Sequence, residues 1–238
     1  MSAFPGRATR LMSILIRSGA DGFQQFYKAP CLPLWLMADV LIVYAHPDTG
    51  GHNKSILDHV TADLDTRGVS FEVLNLYKLK YDPVLREKEH YTAGKRHVSA
   101  QNRRFQKKIG KAGRLVFIYP VWWGLMPAVL KGFLDRVFTP RFAYRYRSLP
   151  FSFFGLKARP VGLLKGKRAA VFMTVGAPRW LHRIFSRDAQ QFLIKHNILG
   201  FCGVRAKTFT LSGCDKALTR KKEKKIGKLV SRGLRWLF

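Results

Sequence analysis

Tyr119-Pro-Val-Trp-Trp-Gly-Leu-Met-Pro-Ala-Val-Leu-Lys-Gly-Phe-Leu-Asp-Arg-Val-Phe138 joins a strand, a tryptophan-bearing turn and a helix without a gap. The apolar run Leu115 to Tyr119 reads as a strand buried on both faces, and Pro127 fits the first helical position, where a missing N–H costs nothing. Between them Pro120, Val121, Trp122, Trp123 and Gly124 make a turn at the carboxyl end of the strand. Backbone amides and indole faces in such a place can receive a flat ring and meet its polar edge. Two tryptophans plugging a core would read the same way, so the neighbouring turns must decide.

Asp39-Val-Leu-Ile-Val-Tyr-Ala45 is a second buried strand, and it runs into His46-Pro-Asp-Thr-Gly-Gly-His-Asn53 and then into apolar residues at helical spacing. Gly50 and Gly51 permit close backbone approach, Thr49 offers a hydroxyl, and Asn53 is expected to cap a helix whose first amides attract phosphate. A third strand, from Arg168, ends in Thr174-Val175-Gly176-Ala177. Strands are expected over 39–45, 70–76, 114–119, 168–174 and 204–211, and helices near 53–66, 97–111, 127–138, 186–199 and 216–237. Such alternation implies an α/β fold, a doubly wound five-stranded parallel sheet of order 2-1-3-4-5, whose switch point lies between the first and third strands. Residues 147–166 are read as a Pro/Gly/Phe-containing connection that covers the pocket.

Pro120-x-x-Trp123, Pro127-Ala-x-Leu-Lys-Gly132 and Phe142-Ala-Tyr144 follow one another in an order that resembles the flavodoxin-like NAD(P)H:quinone oxidoreductases. That group contains DT-diaphorase, the modulator-of-drug-activity reductases and the ancillary flavoproteins of potassium-efflux systems, and the resemblance spans about 38–215. It implies a flavin, FAD or FMN, bound by His46, Thr49, Gly50, Gly51, His52 and Asn53, by Pro120 to Gly124, and by Thr174, Val175, Gly176 and Ala177. It also implies NAD(P)H as donor, quinones or similar flat electrophiles as acceptors, ping-pong hydride transfer and a homodimer. His46 is expected to bond a flavin phosphate, and His52 to face solvent. Tyr144 and Tyr146 match the family's pocket aromatics, or pack at a dimer interface. His182, in Pro178-Arg-Trp-Leu-His182, is a candidate proton relay where the family has a Tyr and a His, and Arg179 a candidate for offsetting flavin charge. Ala177 stands in place of the family's second glycine, which puts the relay in doubt more than the cofactor.

The 238 residues, 47% of them hydrophobic, suffice for one domain, expected over 38–238. Residues 1–37 match nothing in the family. Arg7, Arg10 and Arg17, with no acid before Asp21, give this extension the composition of a transit peptide, while an upstream in-frame start or a short added helix explains it equally. The expected location is the cytoplasm, with an organelle or a membrane surface as alternatives. Net charge is +29, and residues 139–238 hold 23 Lys and Arg against three acids. A basic helix at the carboxyl end is either a solvated face or a contact with an anionic membrane or a membrane protein. The second case would make the chain a flavin-binding regulatory subunit. No helix-turn-helix, zinc or RNP-type motif points to specific nucleic acid. Cys31, Cys202 and Cys214 have neither metal-ligand nor disulfide spacing, and no metal site is expected.

Overall fold

The structure, a computed structural model, describes residues 38–90, 97–153, 156–178, 180–181, 184 and 188–238. Residues 1–37, Arg179 and His182 lie outside them. In chain order the elements are β1 (Val40–Tyr44), α1 (Gly51–Thr66), β2 (Phe71–Asn75), α2 (Ala100–Lys111), β3 (Arg114–Pro120), α3 (Ala128–Val137), β4 (Tyr144–Phe153), β5 (Leu156–Gly162), β6 (Arg168–Thr174), α4 (Ala189–Phe192, continued by the π-helix Leu193–Gly200), β7 (Arg205–Leu211) and α5 (Arg220–Leu237).

β2-β1-β3-β6-β7 form one parallel sheet, which is the expected order once the β4–β5 pair is set aside. The three inner strands are buried on both faces, so they carry continuous apolar runs rather than alternation. One face packs α2, α3 and α4 through Phe105, Ile109, Phe133, Leu134, Ile194 and Leu199. The other packs α1 and α5 through Ile56, Val60, Leu64, Ile226, Val230 and Leu234.

Two expectations are corrected. Tyr144–Phe153 and Leu156–Gly162 pair antiparallel, β4 with β5, and the described residues of the supposed connection over 147–166 are therefore largely strand. Arg145, Arg147, Lys157, Arg159 and Pro160 erase the period-two signal there, and proline is tolerated because the ribbon is all edge. Secondly, α1 begins at Gly51, two residues before the expected start, with Gly50 as its N-cap and no capping side chain. Asn53 lies within the first turn and does not cap. α2 and α5 do carry side-chain caps: Ser99 Oγ accepts from the Asn102 amide at 3.2 Å, and Thr219 Oγ1 from the Lys222 amide at 3.3 Å.

Gly132 explains why glycine follows Leu130-Lys131 on α3. A Cβ there would stand 2.2 Å from the Pro83 carbonyl oxygen, in the backbone of the segment after β2. Gly132→Ala is expected to lose about 1–3 kcal/mol by overpacking, read as a lower urea midpoint with an unchanged slope. A wild-type midpoint would show that the Pro83 segment gives way freely.

Candidate functional site

Three loops converge at the carboxyl ends of the central strands. The Ala45 amide donates to the Ile118 carbonyl, the Val121 amide to that of Thr174 at 2.8 Å, and the Val175 amide to that of Leu211 at 2.9 Å, so each loop is stitched to the next strand. They enclose a cleft of about 220 Å³ lined by His46, Asp48, Gly50, Gly51, His52, Asn53, Pro120, Val121, Thr174, Val175, Gly176 and Cys214. Ten of these were read from the sequence. Asp48 and Cys214 were not, although the loop after the last strand also ends at this edge of the sheet and could have pointed to Cys214.

The floor of the cleft is the start of α1. Gly51 has φ +77°, a region that disfavours side chains, and a Cβ at Gly50 or Gly51 would meet nothing within 4 Å. With no side chain capping the helix, its first-turn amides and positive dipole end are available to an anion. Asn53 Nδ2 donates to Thr174 Oγ1 at 2.9 Å, which pins α1 to the third loop.

Two polar atoms of the buried lining residues stand without protein partners, Asn53 Oδ1 and His52 Nε2, and the buried Tyr44 hydroxyl at the end of β1 has none either. Unpaired buried polar groups are costly, so the two in the lining mark a place that a polar ligand would complete. His52 is buried, which corrects the solvent-facing expectation. Its burial and the charge of Lys222 push its pKa below the ordinary histidine value, against the pull of Glu223 and Asp215, so the imidazole is neutral near pH 7. Burial raises the Tyr44 hydroxyl to about 12, assisted by Asp58 and Asp48, and the Cys214 thiol to about 11. Neither is an anion at neutral pH.

His46 Nδ1 accepts from the Asp48 amide at 3.2 Å, leaving Nε2 as the other polar end of the ring. Its ring centroid lies 6.2 Å from that of Trp122. The tryptophan turn stands at the rim. Trp122 and Leu125 exchange backbone hydrogen bonds of 2.9 Å around Trp123 and Gly124, whose φ values are +53° and +75°. That is the signature of a type I′ turn. Trp123 is fully exposed and Trp122 nearly half exposed, so the core-plug alternative is excluded. Thr49 and Ala177 belong to the same loops but do not line the cleft.

Tyr144 and Tyr146 are elsewhere. Tyr144 packs edge-on against Phe201 at 4.9 Å and lines a second cleft with Leu134, Phe138 and Ile198, while Tyr146 is exposed.

Residues 38–231 match the family described as flavodoxin-like fold. The chain belongs to that family. This flavodoxin-like protein is 27% identical over 175 residues to an uncharacterized NAD(P)H oxidoreductase of Haemophilus influenzae, a match covering 73% of this chain and 82% of the relative. It is 28% identical over 187 residues to ribosyldihydronicotinamide dehydrogenase (quinone) of Homo sapiens, covering 70% and 77%. Among solved structures, the Smu.1420 protein of Streptococcus mutans superposes with a TM-score of 0.68 at 30% identity, over 82% of this chain and 98% of that one.

Proposed function

We infer that this flavodoxin-like protein is a flavin-dependent NAD(P)H oxidoreductase that reduces quinones or similar flat electrophiles. The observation that carries the reading is the uncapped start of α1 meeting two unpartnered buried polar atoms, Asn53 Oδ1 and His52 Nε2, at the switch point. This donor set suits a phosphate joined to a flat polar ring, and the named relatives are NAD(P)H and quinone oxidoreductases.

A flavin, FMN or FAD, would supply hydride acceptance from NAD(P)H and delivery to the electrophile. The protein's part is binding, orientation and electrostatics. The amides of Gly51, His52 and Asn53 would hold the phosphate, with His52 Nε2 and His46 beside it. Among the described residues, Trp123, Gly124 and Gly176 donate their amides to no backbone carbonyl. Those three would face the polar edge of the ring, where developing negative charge needs donors. Trp122 would shield one flank. Donor and acceptor would then use one exposed face in turn, which is the structural basis of ping-pong order.

The chain is further proposed to work as a homodimer. Tyr144 and Tyr146 stand on the β4 hairpin, away from their own cleft, so a role in catalysis would place them at the cleft of a second copy. His182 remains the candidate proton relay. The domain is taken as 38–238, and the cytoplasm as its location.

Purified protein, incubated with FMN or FAD if needed, is expected to show flavin absorption bands. NADPH should bleach them anaerobically and menadione should restore them. Failure to retain either flavin would overturn the reading.

A further inference from the structure

The carboxyl-terminal helix carries more positive charge than its packing uses. Ile226, Leu229, Val230, Gly233, Leu234 and Leu237 face the sheet and are buried. The acid Glu223 is turned to α1, where it accepts from Ser55 Oγ at 2.7 Å and lies 3.2 Å from His59 Nε2. Lys222 is turned inward too, donating to the Ser212 and Gly213 carbonyls at 2.7 and 2.8 Å. What remains outside is Arg220, Lys221, Lys224, Lys225, Lys228, Arg232 and Arg235, all exposed.

At 3.6 residues per turn these seven fall within an arc of about 140°, along a ridge roughly 22 Å long. Among the described residues none of them forms an ion pair. The ridge continues onto the edge strand, because Lys207 Nζ and the Arg232 guanidinium both lie 5.9 Å from the centre of the Phe209 ring. Lys221 with Lys225, Lys224 with Lys228, and Lys228 with Arg232 are like-charge pairs at i,i+4, each of which weakens a helix, and Arg220 and Lys221 oppose the dipole at its start. Helix stability alone would favour mixed signs, as on α1, where Lys54 pairs with Asp58 and Arg67 with Asp63.

We propose that this face of α5, with Lys207 of β7, docks on an anionic lipid surface. A straight ridge meets a plane along its whole length. Across a duplex the same straight ridge would meet phosphates only where it crosses the two backbones, whereas a lipid plane presents charge along the whole of it. The apolar side of α5 is already committed to the core, so the attachment is electrostatic, reversible by salt and without insertion. Among the described residues no helix is long and apolar enough to cross a membrane.

The test is flotation of the full chain with phosphatidylcholine vesicles, with and without phosphatidylglycerol. The wild type is expected to float only with the anionic vesicles and to be released by salt. Because each surface cation contributes roughly fivefold, the triple variant K224E/K225E/K228E should weaken partition by well over tenfold. Reversing Arg103, Arg104 and Lys107 on the opposite face (R103E/R104E/K107E) should change it by less than about threefold, since they lie beyond a Debye length from the lipid. If the first triple misfolds by circular dichroism, K224Q/K225Q/K228Q replaces it. Equal losses from both faces would reduce the effect to net charge and overturn the proposal. So would flotation with phosphatidylcholine alone, or displacement of the bound protein from vesicles by an equal charge of mixed-sequence duplex DNA. The readout needs no flavin, so its failure is separate from failure of the proposed activity.

Discussion

Replacing Arg136 by alanine is expected to cost about 3–5 kcal/mol of stability, equivalent to a fall in Tm of roughly 6–20 °C for a domain of this size. Arg136 and Glu89 form a two-pronged pair, both contacts 2.9 Å, with side chains only 10% and 5% exposed. The guanidinium also donates to the Asp82 carbonyl and lies 5.5 Å from the Tyr81 ring, so it fastens the segment after β2 to α3. Alanine would leave the buried Glu89 carboxylate without its cation, held only by the Arg86 amide.

The pH dependence separates lost charge from lost packing. Burial pushes the Glu89 carboxyl up, but hydrogen bonds from Arg136 and the Arg86 amide, with the charge of Arg136, outweigh it and hold the pKa below the ordinary value. A depressed folded-state pKa contributes stability above the unfolded value, and that contribution is lost as pH falls through the depressed one. Without Arg136, burial is opposed only by the Arg86 amide and the charge of His97, so the pKa rises from its wild-type position and the variant's deficit should shrink toward pH 4. Urea titrations of both proteins at neutral and acid pH check this, with Glu89→Gln as the milder companion. A deficit that does not vary with pH would assign the loss to packing.

Gly51→Val is expected to weaken flavin binding at least about 100-fold. A β-branched residue at positive φ costs about 1–2 kcal/mol, and a displaced first turn forfeits charge-assisted amide contacts worth about 1.5–3 kcal/mol each. The neighbouring Gly50 has φ −131°, open to any residue, and empty space around its Cβ position. Gly50→Ala should therefore bind nearly as wild type. Fluorescence titration of flavin into the apoprotein compares the three. Full affinity in Gly51→Val would move the phosphate away from α1.

The sheet was legible because its inner strands are buried on both faces: Val40 to Tyr44, Leu115 to Tyr119 and Ala169 to Met173 are continuous apolar runs. The edge strand β7 was expected over 204–211 although Arg205 and Lys207 stand exposed in its first half. The hairpin was missed because its charges and prolines serve a ribbon with no buried face to alternate against. Within the site, residue types on loops could be read but not orientations. His52 was placed outside because a polar residue after two glycines suggests a surface turn, yet the early start of α1 rotates it inward. Tyr144 shows the opposite limit, since its motif neighbours lie near the cleft in sequence while β4 carries it to another surface.

An all-parallel sheet also sets the order in which the molecule can assemble. No two neighbouring strands of it are joined by a tight turn, so every pairing waits for a crossover to close. The β1–β3 pairing closes the longest loop, from Val40 to Arg114, and the β3–β6 pairing the next longest, from Arg114 to Arg168, with the β4–β5 hairpin inserted. That hairpin is the one locally closed β unit among the described residues, and it can form before the sheet exists. During synthesis the apolar β3 must remain unpaired on one edge until β6 has emerged. Refolding should accordingly be slow and sensitive to protein concentration, with the α1 face completed only when α5, the last element, arrives to cover β6.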